Sequence, residues 1–175
     1  MTGGRKSQSS VEVYNVDTNE WQTCPSLNKY RHQHSSCVLG NKLYVCSGWE
    51  ESSIEVADCS ELINGTAIWE TLSVTYGDSF GGAWDHVFCP ISSHEIVIML
   101  ERDISIFDTS SNTMTKVGSP FKKDTLLSCS SNQAAMSKAG QIVALVKDSE
   151  HDHLKMVSYT KGKKMTQEIK GFGKV

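Results

Sequence analysis

The 175-residue sequence predicts an all-β protein built from repeated four-stranded antiparallel sheets. Three observations predict it. A pattern of glycine, spacer and tryptophan recurs, with Gly3-Gly4 ahead of Tyr14 and Trp21, and Gly48 ahead of Trp69. Short apolar runs bounded by Asn, Asp, Ser and Gly continue along the whole chain. No long helical periodicity interrupts them. A repeat of about 45 to 50 residues made of short strands is the period of a propeller blade.

The elements follow in chain order. Residues 1–27 read as the last half of one blade, with strands VEVY and WQTC joined by the turn Asp17-Thr18-Asn19-Glu20. The glycines permit close backbone approach at a strand end. Tyr14 and Trp21 supply large apolar faces, and Trp21 and Trp69 are both expected to be buried between blades. Residues 28–75 form the next blade, entered at Arg31, with Lys42-Leu43-Tyr44-Val45 as its second strand. Glu61 to Ile68 is a longer loop where the preceding pass has a tight turn, and such insertions map to one face of a propeller.

In residues 76–120, HEIVIML (94–100) and DISIFD (103–108) are strands, and Met114 to Val117 begins a fourth. Phe107 and Met114 repeat the seven-residue separation of Tyr14 and Trp21. Residues 121–171 give a last blade, with strands at 132–136, 141–146, 154–159 and 165–169. Residues 172–175 are a tail.

On Gly3, Gly4, Tyr14 and Trp21, followed by Arg31 and by Ser47-Gly48, the chain resembles the kelch-repeat family of β-propellers. The match runs over residues 3–72, and beyond them only the register repeats. The resemblance implies a kelch-type β-propeller with an incomplete ring of about three and a half four-stranded blades, below or at the edge of the usual four to eight. It leaves three arrangements open: a piece of a longer propeller, a subunit whose missing blades come from another chain, or an irregular short ring. Family members recruit substrates to ubiquitin ligases or bind actin and other cytoskeletal proteins. The helical domains that join such propellers to a ligase do not occur in these residues.

Composition excludes several classes. A net charge of −3 and the absence of a basic stripe argue against nucleic-acid binding. Lys161-Gly162-Lys163-Lys164 reads as a solvated hairpin tip. No apolar run is long enough to span a membrane, and Met1 to Ser7 holds no signal-peptide core. Cys24, Cys37, Cys46, Cys59, Cys89 and Cys129 form no CxxC pair and read as free thiols of a cytoplasmic protein. Asn64-Gly65-Thr66 matches a glycosylation acceptor but reads as a turn.

No metal, cofactor or catalytic site is expected. His32 and His34 alternate as on one strand face, yet no four convergent ligands accompany them, and His151 and His153 fall in a polar turn. Arg5, Arg31 and Arg102 occupy dissimilar blade positions, unlike a sialidase cluster, and no copper-oxidase ligand set matches. The segment Gly77 to Asp85 lacks the strand–glycine–helix order of a nucleotide site.

The sequence therefore points to a non-enzymatic protein-interaction or scaffold module, cytoplasmic and within the family's cytoskeletal range. Glu50, Glu51, Glu61, Asn64 and Trp84 are its expected partner-binding residues. Gly3, Gly4, Tyr14, Trp21, Gly48 and Trp69 are its structural ones. A structural subunit with its open edges covered by partner chains is the alternative, and a propeller hydrolase or oxidoreductase is a third reading.

Overall fold

Alternating apolar residues and turn-forming side chains build the molecule hairpin by hairpin. A computed structural model describes residues 9–48, 51–74, 87–99, 104–118, 134–136, 142–147, 154–160 and 163–168. These hold fourteen strands and one short helix. The chain divides into two compact units, residues 1–84 and 85–175.

In the first unit, β1 (Val11–Asn15) and β2 (Glu20–Cys24) form a two-stranded antiparallel sheet. A second sheet runs in the order β3 (Ser35–Leu39), β4 (Lys42–Cys46), β5 (Ile54–Asp58), β6 (Glu70–Leu72). These sheets fall in the segments read from the sequence as a half blade (1–27) and a blade (28–75). The two sheets share a core of Val11, Cys24, Leu27, Val45, Ala57, Leu62, Ala67 and Trp69. Side chains at alternate positions point to opposite faces of a sheet. Val11, Val13 and Cys24 thus face this core, while Tyr14 and Trp21 lie on the other side of the half blade.

The second unit contains two four-stranded sheets, each in a simple antiparallel meander. One comprises β7 (Val87–Pro90), β8 (Glu95–Met99), β9 (Ile104–Asp108) and β10 (Thr113–Gly118). The other comprises β11 (Ala134–Met136), β12 (Ile142–Lys147), β13 (Leu154–Thr160) and β14 (Lys163–Glu168). Ile96, Val97, Ile98, Ile104 and Phe107 are buried, so β8 and β9 have apolar residues on both faces. Strand β7 carried no strand assignment in the sequence. Strand β14 begins two residues before the expected Met165, because Thr160 pairs directly with Lys163.

The third strands of successive blades repeat closely. VEVYN in β1, IEVAD in β5 and ISIFD in β9 occupy the same place in their sheets. Tyr14 pairs with Trp21 and Phe107 with Met114, as the equal spacing predicts. The turns repeat too. Asn15 Oδ1 accepts from the amides of Asp17 and Thr18 at 2.9 and 3.2 Å. Asp108 Oδ1 accepts from those of Ser110 and Ser111 at 2.8 and 3.2 Å. Each turn closes on an asparagine in the left-handed region, Asn19 at φ 59° and Asn112 at φ 55°.

Asp58 ends β5 at the same place and makes the same bonds, to the amides of Ser60 and Glu61 at 2.8 and 3.3 Å. Here the outcome is α1 (Cys59–Asn64), with Asp58 as its N-cap. The expected loop at Glu61 to Ile68 therefore starts within a helix. Gly65, at φ 73°, terminates it, and the Gly65 amide donates to Leu62 O at 3.1 Å. The Asp58-x-x-Glu61 spacing ahead of Leu62 was the signal for this helix.

Two other expectations change. Trp69 is buried at 5% exposure, but Trp21 is 59% exposed rather than buried between blades. Trp69 faces the half blade, and its indole N–H donates to Pro25 O at 2.9 Å. Trp21 faces the opposite way, and among the described residues only Ser9 and Ser10 precede β1. Its ring packs instead against Tyr14, with centroids 5.1 Å apart and the planes tilted by 45°. His32 and His34 do not share a strand face, because they precede β3 and Gln33 between them has φ 57°.

Candidate functional site

Segment 25–34, between β2 and β3, carries a fully buried charge, Arg31, against the β3–β6 sheet. Arg31 and Glu55 are both fully buried, with Arg31 Nε 2.9 Å from Glu55 Oε1. Burying an ion pair is favourable only when the remaining donors and acceptors are also satisfied. Here Arg31 Nη1 donates to the carbonyls of Ser47 and Ser53 at 2.7 and 2.9 Å. Its Nη2 donates to Ser53 Oγ at 2.6 Å. Glu55 accepts from the amides of Asn28 and Lys29 at 2.6 and 3.2 Å.

This network joins segment 25–34 to both ends of the β4–β5 loop. Ser47 stands where the repeat has its first glycine and adopts φ 65°. The Arg31 bond to its carbonyl offsets the cost of that conformation. Gly48 follows at φ 132°, and a Cβ there would lie 3.2 Å from His32 O and 3.4 Å from Arg31 Cβ. The close approach expected of the glycine is therefore real at Gly48.

Above the network, Tyr30 is 74% exposed and Lys29 is exposed beside it. Glu51 lies in the braced loop, where its carboxylate accepts from the Ser53 amide at 2.9 Å. Partial burial opposes ionisation of Glu51. The hydrogen bonds from Ser53 and the charges of Arg31 and Lys29 overcome it and hold the carboxyl below its usual range.

The structure separates the expected contact residues. Ser35 pairs with Cys46, and Lys42 with Asp58. Glu51 therefore sits at the β4–β5 end of the sheet, and Glu61 and Asn64 at the opposite end with α1. Both Glu61 and Asn64 are exposed. Gly3, Gly4, Glu50 and Trp84 lie outside the described residues.

Glu55 was not singled out in the sequence. Its signal was the in-register repeat of Glu12 by Glu55, each the second residue of a third strand. Among the described residues no group of three His, Cys, Asp or Glu could hold a metal ion, and Cys24, Cys37, Cys46, Cys59 and Cys89 are reduced, outside any disulfide. Burial raises the Cys59 thiol, helped by the adjacent Asp58 charge, and burial alone raises Cys89. No described helix is long and apolar enough to cross a membrane.

The antiparallel four-stranded sheet with Gly48 at its corner and Trp69 on its face is consistent with a blade of an all-β kelch-type propeller. Comparison with known proteins agrees: residues 2–28 match the family model of the Kelch motif. The chain is 40% identical over 57 residues to Kelch-like protein 21 of Homo sapiens, covering 33% of this chain and 9% of that protein. It is 39% identical over 62 residues to human Kelch-like protein 24, covering 33% and 10%. An F-box/kelch-repeat protein of Arabidopsis thaliana is 38% identical over 53 residues, covering 30% and 12%. Together these findings support the kelch-repeat family. The chain spans about a tenth of the length of the curated relatives it matches.

Proposed function

We propose that the chain is a non-enzymatic protein-interaction module of kelch type, and that it binds partner proteins through the end of the sheet bearing Lys29, Tyr30 and Glu51. The buried Arg31–Glu55 network carries this reading. It fixes two adjacent connections from beneath, so an exposed tyrosine is presented on a rigid base. Tyrosine supplies large contact area at low entropic cost and is enriched at interface centres. The partner is a protein, with a cytoskeletal protein or a ubiquitin-ligase substrate within the family's range, in a cytoplasmic setting.

The test is quantitative capture from cell extract on the immobilised chain, comparing wild type with Tyr30→Ala and Glu51→Lys. The expected result is loss of a defined set of bound proteins from both variants at unchanged melting temperature. Retention of the same set by both would overturn the reading.

A second reading has its own observation. The Tyr14–Trp21 face is exposed, whereas the equivalent Trp69 is covered by a neighbouring sheet. A structural subunit whose open face is covered by a partner chain would account for it. Sedimentation of the purified chain separates the two, since a well-folded monomer removes the need for such a cover.

A further inference from the structure

The β5–β6 connection of the β3–β6 sheet departs from the repeat. The corresponding turns of β1–β2 and β9–β10 are four residues long between paired strand ends, Asn15 with Glu20 and Asp108 with Thr113. After Asp58 the chain instead makes α1 and returns through Thr66 to Trp69. Leu62, Ala67 and Trp69 point into the core. Ile63 and Ile68, each next to one of these, point outward at 55% and 84% exposure.

Ile63 and Ile68 lie on either side of the reversal at Gly65. The amides of Thr66 and Ala67 both donate to Glu61 O, at 2.9 and 3.1 Å. Ile63 is two residues from that carbonyl, and Ile68 is one residue from Ala67. The arrangement is held firmly, because Gln22 Nε2 donates to Ile63 O at 2.7 Å and ties α1 to β2. Asn41 Nδ2 donates to Asp58 and Ser60 on the other side.

The surroundings are acidic. Glu61 and Glu70 are exposed on the connection itself, and Asp17 and Glu20 are exposed on the hairpin tip that β2 leads from. Lys42 is the one basic residue among the described residues of this end. Two bare isoleucines among exposed acidic side chains are complementary to a segment in which apolar and cationic residues alternate.

We propose that the α1 connection is a second interaction surface, and that it takes a polypeptide segment in which Lys or Arg alternates with bulky apolar residues. Ile63 and Ile68 would receive the apolar side chains, and Glu61 and Glu70 the cationic ones. This surface lies at the opposite end of the sheet from Tyr30, so it extends the interaction-module reading and can fail separately from it.

The probe is a fluorescein-labelled synthetic peptide of alternating lysine and leucine, titrated with the full chain by fluorescence anisotropy. Peptides of glutamate with leucine and of lysine with serine are the controls. The lysine–leucine peptide should bind, and more weakly as salt rises, while neither control does. Ile63→Ser, and separately Glu61→Lys with Glu70→Lys, should each weaken binding roughly tenfold, a visible shift in the titration midpoint. Both sites are solvent-exposed, and an unchanged melting temperature shows that each variant has folded. Tyr30→Ala should leave the peptide affinity unchanged. Failure of the lysine–leucine peptide to bind, equal binding of a control peptide, or full affinity in the variants overturns the proposal. If Tyr30-dependent capture of partners persists in that case, only this surface is lost.

Discussion

Glu55 shows how one side chain can hold three segments. It neutralises Arg31 and accepts from two backbone amides, while Arg31 donates to two carbonyls. Removing its charge leaves a buried guanidinium without its counter-ion. Glu55→Gln is therefore expected to cost about 3 kcal/mol or more, measured by urea unfolding. Replacing both partners by apolar residues would not restore stability here, since the amides of Asn28 and Lys29 and the carbonyl of Ser47 would lose their partners. The two tryptophans make a sharper contrast. Trp69→Ala removes a buried ring and an indole hydrogen bond and should cost about 3–5 kcal/mol. Trp21→Ala, at a ring already 59% exposed, should cost well under half as much in the same chain. Similar losses for the two would mean that Trp21 is covered in solution.

The helix α1 depends on its two ends. Gly65 has open space around it, so Gly65→Ala pays only for a side chain at φ 73°, about 1 kcal/mol by thermal unfolding. Asp58 is depressed from its usual value: desolvation opposes ionisation, but the amides of Glu61 and Ser60 and the side chains of Asn41 and Ser60 together outweigh it. A folded value below the unfolded one means that this stabilisation is fully present above the ordinary carboxylate range, about pH 4. It is lost as pH falls through the folded value. The protection of the Ser60 and Glu61 amides, relative to the intrinsic exchange rate at each pH, should fall there, and Asp58→Asn should flatten that dependence. Strands were legible in the sequence because alternation and turn residues are local. The hairpin pairing of Phe107 with Met114 was legible because a seven-residue separation fixes the register. What escaped was set by contacts at long sequence distance. Glu55 is an ordinary polar residue until Arg31, 24 residues earlier, reaches it. The exposure of Trp21 depends on what faces the half blade rather than on its own neighbours.

Each of the two units has its own buried residues, the cluster of Trp69 with Val45 and Ala57 in the first, and Ile96, Val97 and Phe107 in the second. Destabilisation by Trp69→Ala should thus speed amide exchange across β3 to β5 while β8 and β9 keep their protection. Uniform acceleration in both would show that the chain unfolds as one cooperative body. The surface is partitioned in a different way. At one end of the β3–β6 sheet an ion pair braces two connections, and at the other an insertion carries bare isoleucines. The insertion grows from a strand-end carboxylate that elsewhere only closes a turn, and the strands on either side keep their register. Asn15, Asp58 and Asp108 thus act as equivalent sockets. A segment of new length or chemistry can be grafted after any of them without re-threading the sheet, which makes these three positions the natural sites for evolution, or an engineer, to exchange one recognition element for another.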